Sequence, residues 1–293
     1  MMNFGRLMTA MVSPFDNDLE INLKETEKLV NHLINQGTDT IVVAGTTGES
    51  PTLSNEEKIL LFTKVVEFAK GRAKVIAGTG TNNTKTSIEL TKRAEQTGVD
   101  GIMLVTPYYN KPSQEGLYYH FNTIANETKL PVMIYNIPSR AGINVSAETI
   151  IKLSKTSNIF SVKEASGDIV QMSEIIKNTD DDFLLYSGDD KFNLPVLAIG
   201  GYGSVSVASH VCGLEIKNMI EHFFNGETKL ASQLHLKLIS IFEGIFITSN
   251  PSPIKELLNQ IGLNVGSVRP PLMKVSDEQA LFLRNTYQKL KSN

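Results

Sequence analysis

A lysine set directly behind a short apolar run is the residue in this chain with the most chemistry to offer. Lys163 follows Ile159-Phe160-Ser161-Val162, and strand alternation gives it a common face with Ile159 and Ser161. In an apolar cavity an ammonium loses its hydration, its pKa falls, and the neutral amine becomes a nucleophile for a carbonyl carbon. The alternative is a lysine that reaches solvent or pairs with the adjacent Glu164. Tyr135 ends the preceding run, Val132-Met133-Ile134. Neighbouring strands lie about 4.8 Å apart, so its phenol could relay protons while a carbinolamine loses water. Taken alone, it reads equally as a tyrosine packed by its ring.

Two further groups could hold carboxylates. Gly45-Thr46-Thr47-Gly48 offers two hydroxyls and several backbone N–H groups at a tight turn, which suits an anion. It is also what an ordinary glycine-rich loop ahead of a helix looks like. Arg140, two residues after Pro138, can clamp a carboxylate with two parallel hydrogen bonds or stand as a surface arginine.

Other chemistries find no footing. The five histidines have no HExxH spacing and the single cysteine, Cys212, can form neither a zinc cluster nor an internal disulfide, so no metal is expected. Cys212 beside Gly213 reads as a small packed residue. There is no GxSxG elbow, and Gly78-Thr79-Gly80 lacks the third glycine of a dinucleotide loop. Asp189-Asp190 is a weak invitation to a hard cation, and Asp180-Asp181-Asp182 reads as a solvated turn. With 28 basic and 31 acidic residues the net charge of −3 gives no field for nucleic acid or an anionic membrane. No apolar run approaches the roughly 18 residues that span a bilayer. Met1 to Met11 does not read as a signal peptide, so a cytoplasmic protein is expected.

The elements that must position these groups show as a rhythm. Eight short apolar runs recur, at residues 7–12, 41–44, 75–77, 102–105, 132–135, 159–162, 183–186 and 205–208. Their lengths suit strands. Most are separated by charged amphipathic stretches with helix-start signals: Ser54 with Glu57 three residues on, Ser113, and Ser146. Gly37, Gly71 and Gly98 sit where helices should end. Alternating strand and helix at about 22–34 residues per unit gives parallel βαβ units, and eight of them point to an α/β fold closed as a (β/α)8 TIM barrel. Residues 1–225 are read as the barrel carrying the site. Residues 226–293 are read as a C-terminal helical region packed on it, with helical patterning in 214–224, 228–246, 254–261 and 277–290. In such a barrel the chemistry lies at the C-terminal ends of the strands, where all the groups above collect.

The stretches GTTGES at 45–50, TPYYNKPSQEGLYYHF at 106–121, YNIPSRAG at 135–142 and SVKEASGD at 161–168 make the chain resemble the pyruvate-dependent class I aldolase (N-acetylneuraminate lyase) superfamily, and within it the dihydrodipicolinate synthase family. The resemblance runs from about Phe4 to Leu290. It implies a lyase that joins pyruvate, as a Schiff base on Lys163, to L-aspartate-4-semialdehyde, without a cofactor. Thr46 and Thr47 would hold the pyruvate carboxylate, and Val205 would border that pocket. Thr47, Tyr135 and Tyr109 would form a proton relay, with Tyr109 delivered across an interface of a homotetramer built as a dimer of dimers. Arg140 would receive the semialdehyde carboxylate; the sialic-acid lyases lack an arginine at that place. Ala141 departs from the threonine common in the family. Lysine-inhibited relatives line an allosteric cleft at the dimer interface with residues including a histidine or tryptophan and a glutamate, where this chain has Lys58 and Thr86, so weak or absent lysine feedback is expected. The rival readings are a related aldolase for a sialic or sugar acid, a phosphosugar aldolase using Gly188 and Gly200-Gly201 as a phosphate cup, and a keto-acid-binding barrel without catalysis.

Overall fold

A computed structural model describes residues 3–292 and shows eight parallel strands closed into a barrel in sequence order. The strands are β1 (Leu7–Ala10), β2 (Thr40–Val43), β3 (Lys74–Gly78), β4 (Gly101–Val105), β5 (Val132–Asn136), β6 (Ile159–Glu164), β7 (Leu184–Ser187) and β8 (Gly203–Ser206). The last begins two residues before the apolar run that marks it, because Gly203 and Ser204 carry no hydrophobic signal. Val207 and Ala208 leave the ladder and donate their N–H groups to Asp190 Oδ2 instead, at 3.0 and 2.9 Å.

Local chemistry starts and stops the intervening helices. Ser54 and Glu57 form a reciprocal capping box on helix Asn55–Ala69. Ser113 and Ser146 accept from Gly116 N–H and Thr149 N–H at the starts of Gln114–Ala125 and Ala147–Leu153. Such caps are each worth about 1 kcal/mol. Gly37, Gly71 and Gly98 all have positive φ, which only glycine adopts without steric cost.

Two apolar layers hold the barrel. An inner one includes Met8, Val42, Ile76, Met103, Met133 and Val205, and a larger outer one lies between strands and helices. Where β5 meets β6 the register slips: Val132 faces Ile159, but Met133 faces Ser161. The extra residue, Phe160, stacks on Phe4 with ring centroids 4.7 Å apart. The bulge corrects one expectation, since Ile159 joins the outer layer and does not share the inward face with Lys163. Beyond the bulge the ladder is regular, with Lys163 between Tyr135 of β5 and Tyr186 of β7.

Helix Ser209–Phe224 completes the eighth unit, and helices Thr228–Gly244, Ser252–Gln260 and Asp277–Ser292 follow. Cys212 is buried at a kink in the first of these and donates its Sγ–H to Ala208 O at 3.2 Å. Burial pushes its thiol well above the usual range, in keeping with a packed residue. Residues 180–182 form an exposed turn. No helix among the described residues is long and apolar enough to cross a membrane.

Candidate active site

Strand order and register decide where the lysine goes. Lys163 points into the barrel with 4% of its surface exposed, and its Nζ lies 4.0 Å from the centroid of the Tyr135 ring. Among the described residues no carboxylate lies within ion-pair distance of it. Glu164 alternates to the other face, where its carboxylate accepts from Asn136 Nδ2, Ser166 N–H and Gln171 Nε2 at 2.7–3.2 Å. Burial lowers the Lys163 pKa to about 7; the Asp190 carboxylate opposes that shift and the Arg140 charge adds to it. A pKa near 7 leaves about half the amine neutral at pH 7, roughly a thousandfold more than an exposed lysine.

Tyr135 is also buried, and burial pushes its phenol up to about 12, against the opposing effects of a hydrogen bond from Thr46 and the Arg140 charge. It therefore remains a protonated donor beside the amine. The Thr47 hydroxyl turns elsewhere and accepts from Asn250 Nδ2 at 2.9 Å. Of the two adjacent hydroxyls, Thr46's is the one that acts on the Tyr135 phenol, and Thr47's is held by Asn250.

The loop that carries both threonines is tightly wound. Glu49 N–H donates to Thr46 O and Ser50 N–H to Gly45 O, while Ser13 Oγ holds Gly48 O at 2.7 Å. Ala44 and Glu49 bracket it with left-handed φ of 52° and 56°, each a cost of order 1 kcal/mol for a residue with a side chain. The N–H groups of Thr46 and Thr47 find no acceptor among the described residues, which leaves them free for an anion.

A cavity of about 330 Å³ opens on this group, bordered by Thr46, Ser50, Lys58, Tyr108, Tyr135 and Arg140. Lys163 does not line it; Tyr135, against which the amine sits, does. Arg140 lies in the one-turn helix Pro138–Ala141 that starts immediately after β5. Lys58 is 7% exposed, has no carboxylate partner among the described residues, and has its pKa lowered by burial. Val205 is buried in the inner layer and pairs with Met8. Tyr109 stands apart: it is 90% exposed and has a left-handed φ of 75°.

Three contributors to the site have roles that sequence reading did not give them. A Cβ on Gly188 would lie 3.1 Å from Lys163 Cγ and 2.9 Å from Ala165 Cβ, so the glycine makes room for the lysine stem. Its place after β7 marked it in the sequence only as part of a phosphate cup. Asp190 fixes the end of β8 through Val207 and Ala208 and holds Asn193 Nδ2 at 3.2 Å. Asn250 lies 203 residues from the threonine it contacts, and no local pattern announces that.

Comparison with known proteins gives one consistent result. Residues 3–290 match the model of the Dihydrodipicolinate synthetase family. The 4-hydroxy-tetrahydrodipicolinate synthase of Bacillus subtilis is 52% identical over 290 residues, 99% of this chain and 100% of that one. An enzyme of the same name from Halalkalibacterium halodurans is 54% identical over 278 residues, 95% and 94% of the two chains. The crystal structure of a dihydrodipicolinate synthase from Bacillus anthracis superposes with a TM-score of 0.97 at 51% identity, covering 98% of this chain and 99% of that one.

Proposed function

Given that the chain belongs to the dihydrodipicolinate synthetase family, we propose that Lys163 is the residue through which it performs that family's reaction. The reaction is a lyase-type condensation of pyruvate with L-aspartate-4-semialdehyde to 4-hydroxy-tetrahydrodipicolinate, in lysine and diaminopimelate biosynthesis. One observation carries the assignment: a buried lysine with no carboxylate partner among the described residues, its pKa near 7, lies against a buried tyrosine at the mouth of the barrel.

In this reading the neutral amine attacks C2 of pyruvate, and the carbinolamine expels water with Tyr135 as the nearby proton donor. Loss of a proton from C3 gives an enamine, which attacks the aldehyde carbon of the semialdehyde. The semialdehyde's own amino group then displaces Lys163 from C2 and closes the six-membered ring. One water is released overall and the lysine is regenerated. The free N–H groups of Thr46 and Thr47 suit the pyruvate carboxylate, Val205 borders that pocket from β8, and Arg140 suits the carboxylate of the semialdehyde. We assign the contact with Tyr135 to Thr46 and the anchoring of the keto acid to Thr47. Residues 1–225 carry the chemistry and 226–293 form an extension on the barrel, and we place the protein in the cytosol.

A homotetramer, as a dimer of dimers, is part of the proposal. A tyrosine 90% exposed and held at positive φ is poorly explained within one chain, and Tyr109 reaching a neighbour's site gives it a use. Sedimentation should give a multiple of the 32.3 kDa chain; a fully active monomer would refute this part. The central test is borohydride reduction in the presence of pyruvate followed by peptide mapping. The adduct is expected on Lys163, and Lys163→Ala should abolish both adduct and turnover.

A further inference from the structure

The loop that carries Thr46 and Thr47 is tied to a stretch of chain about two hundred residues further on. Asn250 Nδ2 donates to Thr47 Oγ1, a buried contact. Two residues on, Glu49 Oε1 lies 2.7 Å from Lys255 Nζ, with the two side chains only 1% and 2% exposed. The other oxygen, Glu49 Oε2, accepts the N–H of Arg269 at 2.8 Å. Lys255 also donates to Ser267 O at 2.7 Å. The Arg269 guanidinium grips Thr52 O and the Glu57 carboxylate, at the far end of the same loop. Lys255 and Arg269 both lie over the ring of Phe15, at 4.0 and 4.4 Å.

A fully buried ion pair contributes little net stability compared with apolar packing of the same volume. What it supplies is direction, and here it fixes a residue held at a left-handed φ immediately beside the candidate carboxylate cup. Asn250 supplies direction of a second kind. Because the Thr47 oxygen accepts from the amide, its own proton is left to donate to another group, as an anionic ligand requires.

We propose that Asn250 and Lys255 are positioning residues for keto-acid binding: the C-terminal segment latches the 45–53 loop, Asn250 by setting the Thr47 hydroxyl as a donor and Lys255 by holding Glu49. This rests on the reading of Thr46 and Thr47 as the pyruvate-carboxylate site. It gives part of the C-terminal extension a role in the chemistry that packing alone would not.

The test compares Asn250→Ala, Lys255→Met and Lys255→Arg with the unmodified chain. Borohydride labelling of Lys163 is measured against pyruvate concentration, together with both Michaelis constants and Tm. Asn250→Ala and Lys255→Met should each raise the pyruvate concentration for half-maximal labelling by about tenfold, the order of one charge-assisted hydrogen bond. Labelling should still reach completion at saturating pyruvate, with the Michaelis constant for the semialdehyde changed less than about twofold. Lys255→Arg should restore most of the loss. A lowered Tm with unchanged pyruvate dependence would mean a purely structural role and overturn the latch. Should Lys255→Met fail to fold, Asn250→Ala decides, since it removes one hydrogen bond and no charge. If the unmodified chain takes no label at all, it is the assignment of Lys163 that falls, and the latch with it. If that chain labels normally while the variants match it, only the latch falls.

Discussion

The pKa of Lys163 sets a quantitative expectation for the first covalent step. Burial brings it from 10.5 to about 7, equivalent to about 5 kcal/mol in favour of the neutral amine. The initial rate of imine formation at subsaturating pyruvate should therefore rise as one deprotonation with a midpoint near pH 7 and level off above it. An unperturbed lysine would keep rising to beyond pH 10. Rapid quenching with borohydride at a series of pH values, with the label on Lys163 quantified by mass, follows this step without depending on the aldehyde. Arg140→Ala sharpens the test, because the arginine charge is one of the causes of the lowered pKa. Removing it should move the midpoint upward, leave imine formation intact and abolish use of the semialdehyde. A midpoint near 10, or a downward move in Arg140→Ala, would refute the electrostatic reasoning. A label on another lysine would refute the assignment itself.

Four further outcomes are expected. Tyr135→Phe should lower kcat by about 10²–10³, the usual worth of a positioned proton donor, while saturating pyruvate still labels Lys163; an unchanged kcat in steady-state assays would remove the tyrosine from the chemistry. Lys163→Met should raise Tm more at pH 6 than at pH 9. The folded-state pKa lies below the unfolded one, so the unfolded chain binds more protons between about 7 and 10.5, the penalty for the buried amine is complete below pH 7, and it fades as pH rises; an equal gain at both pH values in calorimetry would contradict this. Gly188→Ala should cost about 1–3 kcal/mol in denaturant unfolding and slow imine formation, because the new methyl would crowd the Lys163 stem and Ala165. Millimolar L-lysine should leave turnover unchanged, since Lys58 and Thr86 stand where the resemblance puts the histidine or tryptophan and the glutamate of lysine-inhibited relatives, and Thr86 carries no charge to pair an ammonium; inhibition below that range would overturn the argument.

Much of the molecule could be read from local pattern. Alternating runs of β-branched residues and capped amphipathic helices are enforced within a few residues, by hydrogen bonding at helix ends and by sterics at Gly37, Gly71 and Gly98. That gave the eight units and, through the rule that barrel chemistry sits at strand ends, the neighbourhood of Lys163, Tyr135, the threonine pair and Arg140. The ends of elements were less legible where a distant partner sets them. β8 stops short of Val207 because the Asp190 carboxylate captures the next two N–H groups.

The rest depends on contacts between residues far apart in the chain. Strict alternation placed Ile159 beside Lys163, and only the register slip opposite Val132 reverses it. The Thr47 hydroxyl is held by Asn250, 203 positions downstream. Glu49 could not be matched to Lys255, nor Gly188 to the lysine stem, before the barrel closed. Sequence fixes what each residue can do and which element carries it, because backbone sterics and caps act over a few residues. Desolvation, hydrogen-bond choice and close packing are properties of the assembled interior, so the lowered pKa of the amine and the orientation of its neighbours belong to the tertiary structure alone.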